Sequence, residues 1–367
     1  MPSAIRRAAG HLIAHLDGLL LGALLLLMTA GVIVLYSASN ASFARVSSQI
    51  INMLIALGVM WLVASVPPHY LMRVSLPAYV LGLLLLIGVA LFGEVVNGAR
   101  RWLDIGVTRI QPAELMKIAV PLLLAWYFDR YEATLKFTNY IIAAVLLVIP
   151  VALIARQPDL GTAVLIFASG CYVLFLAGLS WRVIAGVTVA GLASLPVLWA
   201  ALHDYQRQRI LTLLDPAQDP LGAGYHTMQS TIAVGSGGLL GKGWMNGTQT
   251  HLDFIPERTT DFIFAVYSEE FGLFGAAVLL FLFLLVIARG IVITANAPTV
   301  FSRLLAGAIT LTFFTYAFVN MGMVSGILPV VGVPLPLISY GGTSLVTICL
   351  GFGILMSIET HKKLVQT

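Results

Sequence analysis

Charged side chains are scarce in this chain, so chemistry has to be sought in the few places where they gather. The stretch Gln111-Pro112-Ala113-Glu114-Leu115-Met116-Lys117 opens with a proline suited to the first turn of a helix. Glu114 and Lys117 then stand at i and i+3, on one face, about one turn below the membrane interface. Arg100, Arg101 and Arg109 precede them, so cations outnumber the anions Glu94, Asp104 and Glu114. Such an excess suits a phosphate or pyrophosphate, which a guanidinium grips in a bidentate fork and an ammonium holds as a point charge. The competing reading is an ion pair that locks two helices, or a lysine snorkelling to the interface.

A second constellation is Phe254-Ile255-Pro256-Glu257-Arg258-Thr259-Thr260-Asp261-Phe262-Ile263-Phe264. Asp261 opens an apolar helix, where it could cap the N-terminus, although Thr259 or Thr260 would cap as well. At the mouth of a wet cavity beside arginines, the same carboxylate is a general base. Proton removal by a positioned carboxylate is typically worth about 10²–10⁴ in rate. Glu269 and Glu270 lie about 12 Å further in at 1.5 Å per residue and read as structural partners of another helix. In Arg156-Gln157-Pro158-Asp159-Leu160-Gly161-Thr162, Asp159 is a helix cap or a local partner of Arg156. Tyr205 to Ile210 sets Arg207 and Arg209 just beyond a span end. Gly235 to Gly243 looks like a phosphate loop, but Gly243 stands where Ser or Thr should follow Lys242 and no strand precedes it. Nucleotide binding is rejected there in favour of a flexible membrane-edge loop. Gly326 to Thr343 packs three prolines and four glycines into 18 mostly apolar residues, so it is expected to form an irregular lip beside protein or a water-lined cavity.

These residues need a scaffold, and composition says which kind. Of 367 residues, 59% are hydrophobic and 10% charged, against about 25% charged in a soluble domain. Twenty Lys and Arg with sixteen Asp and Glu cannot solvate a body of this size, and the mean hydropathy is +0.96. A soluble enzyme, a disordered chain and a nucleic-acid-binding protein are excluded. The net charge of +4 suits a protein lying beside anionic membrane lipids. Cys171 and Cys349 fall in apolar runs, so no disulfide framework is expected.

Spanning a bilayer takes roughly 20 apolar residues as a helix, and about ten runs qualify. They are 17–36, 47–66, 75–93, 112–128, 138–155, 161–178, 182–201, 262–288, 303–325 and 344–359. The chain therefore reads as an all-α polytopic integral membrane protein, one domain over 1–367, with one long loop at about 202–261. Arg6 and Arg7 precede the first run, but that run exceeds the 7–15 residues of a signal h-region and is expected to stay uncleaved. An even span count puts both termini on one side. With the long loop set aside, ten cations near span ends lie on that side and six opposite, which makes the termini cytoplasmic. Segments 94–111, 156–160, 202–261 and 326–343 then share the extracytoplasmic face.

The motifs QPAELMK, PDLGT, GKGWMNGTQTHLDFIPERTTDFIFAVYSEEFG and NMGMVSGILPVVGVPLPLISYGGTS together resemble the SEDS family of bacterial cell-wall proteins (shape, elongation, division, sporulation). The resemblance covers nearly the whole chain. It implies a multi-pass protein of the bacterial cytoplasmic membrane that polymerises lipid II into glycan strands on the outer face. It also implies a class B penicillin-binding protein as partner, and a glycan on undecaprenyl pyrophosphate as the growing substrate. By motif, Asp261 matches the family's proposed catalytic aspartate. Arg101, Arg109, Glu114 and Lys117 match its cavity residues, with Trp102, Asp159 and Arg209 as further members. No cofactor is evident; a divalent cation could sit on the pyrophosphate, yet no ligand cluster demands one. Two competing functions are a lipid-precursor flippase and a non-catalytic scaffold that activates a transpeptidase.

Overall fold

The computed structural model describes residues 15–96, 99–104, 109–201, 207, 211, 223–252, 254–255 and 257–361. Its long helices are α1 (Gly18–Ala38), α2 (Phe43–Ala64), α3 (Pro68–Phe92), α4 (Pro112–Arg130), α5 (Phe137–Arg156), α6 (Leu160–Leu176) and α7 (Trp181–Ala201). After the 202–222 segment come α8 (Ala223–Ser236), the single turn α9 (Thr248–His251), α10 (Ile263–Ala295), α11 (Val300–Val324) and α12 (Thr343–Thr360). Among the described residues, seven helices are long and apolar enough to cross a membrane: α1, α2, α3, α5, α10, α11 and α12. Helix α4 carries Glu114, Lys117, Asp129 and Arg130 within 19 residues, while α6 is short at 17.

The apolar pattern explains the packing. In α1, Leu20, Leu24, Leu27 and Leu35 recur every turn or two and are buried, whereas Leu19, Leu25, Leu26 and Ile33 face outward. A helix apolar on both faces needs lipid on one of them. Helix α1 packs on α10, α12 along α2, α3 on α4, and α11 on α4, α6 and α10. Helix α7 stands apart with mostly exposed side chains, and an apolar cavity of about 720 Å³ separates it from α5 and α6.

Three segments differ from the sequence expectation. The 94–111 connection contains a small antiparallel sheet, β1 (Glu94–Val96), β2 (Ala99–Asp104) and β3 (Arg109–Ile110), in the order β1-β2-β3. Glu94 pairs with Trp102 and Leu103 with Ile110. The long 202–261 loop contains a helix, α8, which buries Thr227, Ser230 and Ala233 against α10 and α11. The glycine run from 235 to 243 is a docked segment and not a free membrane-edge loop, because it splices into a break in α10. At Gly272 the backbone turns to φ +65° and ψ −163°, a conformation open to glycine but strained for other residues. The orphaned carbonyls of Glu269 and Glu270 accept from Lys242 N and Gly243 N at 3.0 Å each. Leu273 N and Phe274 N donate in turn to the carbonyls of Gly238 and Leu239. A Cβ on Gly272 would collide with the Gly241 nitrogen.

Candidate active site

The sheet, the 157–159 turn, the α10 entry and the irregular 325–342 segment meet at one end of the bundle. The Arg101 guanidinium donates to the Pro158 carbonyl at 2.5 Å, tying β2 to that turn. Asp159 accepts from Thr162 N at 3.2 Å, so it does cap α6, and also from Gln111 Nε2 at 3.0 Å. Pro112 occupies the first turn of α4 and leaves Gln111 as the cap residue, which aims Glu114 and Lys117 into the same space. Lys117 Nζ lies 2.6 Å from Glu114 Oε1, with side chains 7% and 13% exposed. The ion pair forms within α4 and so does not lock two helices; it lines a cavity.

That cavity, of about 210 Å³, is bordered by Arg101, Trp102, Gln111, Glu114, Lys117, Asp159 and Tyr316, and closed by Gly332, Val333 and Pro334 of the lip. Its walls hold two buried polar atoms with no partner among the described residues, Arg101 Nε and Glu114 Oε2. Buried polar groups normally find a partner, so these two point to a polar occupant or water. Of the sequence candidates, Arg101, Trp102, Glu114, Lys117 and Asp159 thus converge. Arg109 lies in β3, in register with Asp104, and its side chain falls outside the described structure. Arg209 lies outside the described residues altogether.

Asp261 sits on the other side of the lip. A Cβ placed on Gly332, whose φ is +71°, would lie 3.4 Å from Asp261 Oδ2, so the glycine that lines the cavity also abuts this carboxylate. Asp261 does not cap α10: the cap position is Phe262, and no side chain caps the helix. Among the described residues its carboxylate has no hydrogen-bond or ion-pair partner. Burial pushes its pKa up to about 6, and the nearby negative charge of Glu257 adds to the rise. A carboxyl tuned towards neutral pH and left unpartnered can take a proton from a substrate.

Glu269 and Glu270 are structural partners of other helices, as their depth suggested: Glu269 takes donors from the short helix α9 and from Lys242, and Glu270 from α1. Glu269 is fully buried and accepts from Lys242 Nζ, Thr248 Oγ1, Gln249 N, Thr250 N and Thr250 Oγ1. Glu270 accepts from Ser37 of α1. Together they fasten the loop that precedes Asp261. Among the described residues, no group of three His, Cys, Asp or Glu side chains could hold a metal ion.

Sequence reasoning missed Tyr316. It is buried, its ring lies 5.2 Å from Lys117 Nζ, and it lines the cavity, in the range of a cation–π contact. The available signal was Thr312, Tyr316 and Asn320, spaced by four along apolar α11, which set one polar stripe on one face.

Residues 17–364 match the FtsW/RodA/SpoVE family of cell cycle proteins. The chain belongs to this family. Among its relatives, the peptidoglycan glycosyltransferase MrdB of Escherichia coli K12 is 51% identical over 353 residues, covering 96% of this chain and 95% of MrdB. A probable peptidoglycan glycosyltransferase FtsW of Geobacter metallireducens is 39% identical over 285 residues, 77% of this chain and 75% of its own. Similar solved structures include a chain of a peptidoglycan synthase complex that coordinates polymerization and crosslinking, with TM-score 0.82, 33% identity and coverage of 96% and 99%. The rod shape determining protein RodA of Thermus thermophilus matches with TM-score 0.72, 28% identity and coverage of 96% and 98%. The predominantly helical membrane architecture is thus that of the FtsW/RodA/SpoVE proteins.

Proposed function

We propose that this chain, a peptidoglycan glycosyltransferase like its relatives, extends glycan strands from lipid II with Asp261 as general base. The donor is a growing glycan on undecaprenyl pyrophosphate, and the acceptor is the 4-hydroxyl of the GlcNAc of lipid II. Asp261 takes the hydroxyl proton as the oxygen attacks C1 of the donor MurNAc. The C1–O bond to pyrophosphate breaks, and α configuration inverts to β. Arg101 and Lys117, with Arg109 and Arg209, hold the leaving diphosphate and stabilise its developing charge. Glu114 and Tyr316 orient the Lys117 ammonium, Asp159 fixes the Gln111 side of the cavity, and Trp102 offers a flat apolar wall to the substrate. Pyrophosphate leaves well without protonation, which is why one carboxylate amid cations suffices, unlike the paired carboxylates of glycoside hydrolases. Any divalent ion would travel on the diphosphate.

The carrying observation is the unpartnered Asp261 carboxylate against the Gly332 wall of a cavity lined by Arg101 and Lys117. The reading places both termini in the cytoplasm and the cavity on the outer face, where a class B penicillin-binding protein cross-links the product. The test is polymerisation of purified lipid II by the full chain with that partner. Asp261→Asn, which keeps shape and loses the charge, is expected to fold and to lose at least about 10² in rate. Wild-type chain growth by this variant would falsify the general-base role. Translocation of lipid II without polymerisation by the wild type would favour a flippase instead.

A further inference from the structure

Three consecutive carbonyls lead into α10, and each accepts a hydrogen bond from α11 or the lip that follows it. Tyr340 N donates to Thr259 O at 2.9 Å, and Ser339 Oγ to Thr260 O at 2.6 Å. Asn320 Nδ2 donates to Asp261 O at 2.8 Å. The two side chains also reach back into the lip: Ser339 Oγ accepts from Leu335 N at 2.8 Å, and Asn320 Nδ2 donates to Val333 O at 2.7 Å. Both are buried, Asn320 completely. Asn320 commits its amide protons to two carbonyls while its Oδ1 has no partner among the described residues, so the site uses the residue as a donor.

Residues 257–262 form turns, with Glu257 at φ +51°, and no cap holds the α10 start. A side chain on such a turn points only as well as its backbone is held. A base must keep its carboxylate free, so support has to come through the main chain. Val333, whose carbonyl Asn320 also binds, is the neighbour of Gly332, the residue facing Asp261 Oδ2. One amide therefore sets both the carboxylate's backbone and the wall it faces.

We propose that Asn320 and Ser339 are positioning residues for Asp261, clamping the 259–261 backbone so that its carboxylate meets the cavity at Gly332. This rests on the reading of Asp261 as the base. The experiment measures kcat, KM for lipid II and the pH dependence of kcat for the full chain with its transpeptidase partner. It compares wild type, Ser339→Ala, Ser339→Thr and Asp261→Asn. Small displacements of a reacting group cost up to about 10²-fold. Ser339→Ala is expected to lose about tenfold or more in kcat with KM within about twofold, and Ser339→Thr to recover most of it. The acid limb of Ser339→Ala should move to lower pH, because a loosened carboxylate is better hydrated.

Wild-type kcat and acid limb in Ser339→Ala, beside an inactive Asp261→Asn, overturn the clamp and leave the base intact. A kcat loss with an unmoved acid limb and no recovery by Thr also overturns it, since that pattern marks general distortion. An active Asp261→Asn removes the base itself. Should Ser339→Ala fail to accumulate in membranes, Ser339→Cys, similar in shape but a weak donor, decides by the same two readouts.

Discussion

The two ends of the helix bundle treat charge in opposite ways. At the end that carries the termini of α1 and α12, Arg289 of α10 meets Asp17 at 2.5 Å and Glu359 at 3.1 Å. Asp17 also caps α1 through Leu20 N, and Asp129 accepts from Phe301 N at the α11 start. These charges close helix ends and join neighbours. At the other end, Arg101 Nε and Glu114 Oε2 are buried with no partner among the described residues, and Asp261 is held there through its main-chain carbonyl. The charges named at the first end satisfy one another, whereas the second leaves polar atoms open to a polar occupant or water. Partners withheld from buried polar groups weaken a fold, and keeping such a site is a familiar exchange of stability for function.

Three substitutions sharpen or break this contrast. Lys117→Met keeps the length of the stem and removes the ammonium, and is expected to cost about 10²–10³ in kcat, the usual loss for one preorganised charge-stabilising donor. Lipid II polymerisation by purified protein checks it; an effect confined to thermal stability would make Lys117 merely structural. Gly332→Ala adds a methyl group at 3.4 Å from Asp261 Oδ2 on a backbone at φ +71°. It is expected to lower kcat roughly 10- to 10²-fold because a side chain strains the lip at this φ and shifts the wall the carboxylate faces, with little change in the amount of protein in membranes. Arg289→Ala, at the satisfied end, should cost about 1 kcal/mol of stability, the range of a partly exposed pair. Its turnover per folded molecule should match the wild type, and a large kcat loss there would erase the distinction between the ends.

Most of the helix pattern was legible in the sequence, because apolar runs report burial in lipid or protein directly. The run at 75–93 begins at Pro68 in the structure, seven residues earlier, since His69, Tyr70 and Arg73 dilute the hydropathy while two prolines still start a helix well. The run at 262–288 continues to Ala295 for a similar reason: Arg289 and Gly290 interrupt the apolar signal without ending the helix. The cavity residues of the 101–117 stretch were legible because ionisable groups in an apolar chain have few other uses. The break at Gly272 was not. Glu269-Glu270-Phe271-Gly272 reads as ordinary helix, and only the docking of Gly237 to Gly243 onto its open carbonyls reveals why the glycines are there. Ser339 was equally hidden, since the Thr260 carbonyl it binds lies 79 residues away and leaves no mark on local periodicity.

The central claim is that Asp261 works as the base from a desolvated position, and the pH dependence of kcat/KM for lipid II polymerisation tests it most directly. A base must be deprotonated, and with its pKa raised to about 6 the wild-type rate should fall about tenfold per pH unit below that value. The same shift has a stability sign. A carboxyl whose folded pKa is raised from 3.8 to about 6 adds stability below the lower value and loses it as pH rises through the higher one, so Asp261→Asn should melt higher than wild type above about pH 6 and converge with it only near pH 4. A wild-type rate that stays flat through pH 6, or an Asp261→Asn protein that polymerises at the wild-type rate, would contradict the account.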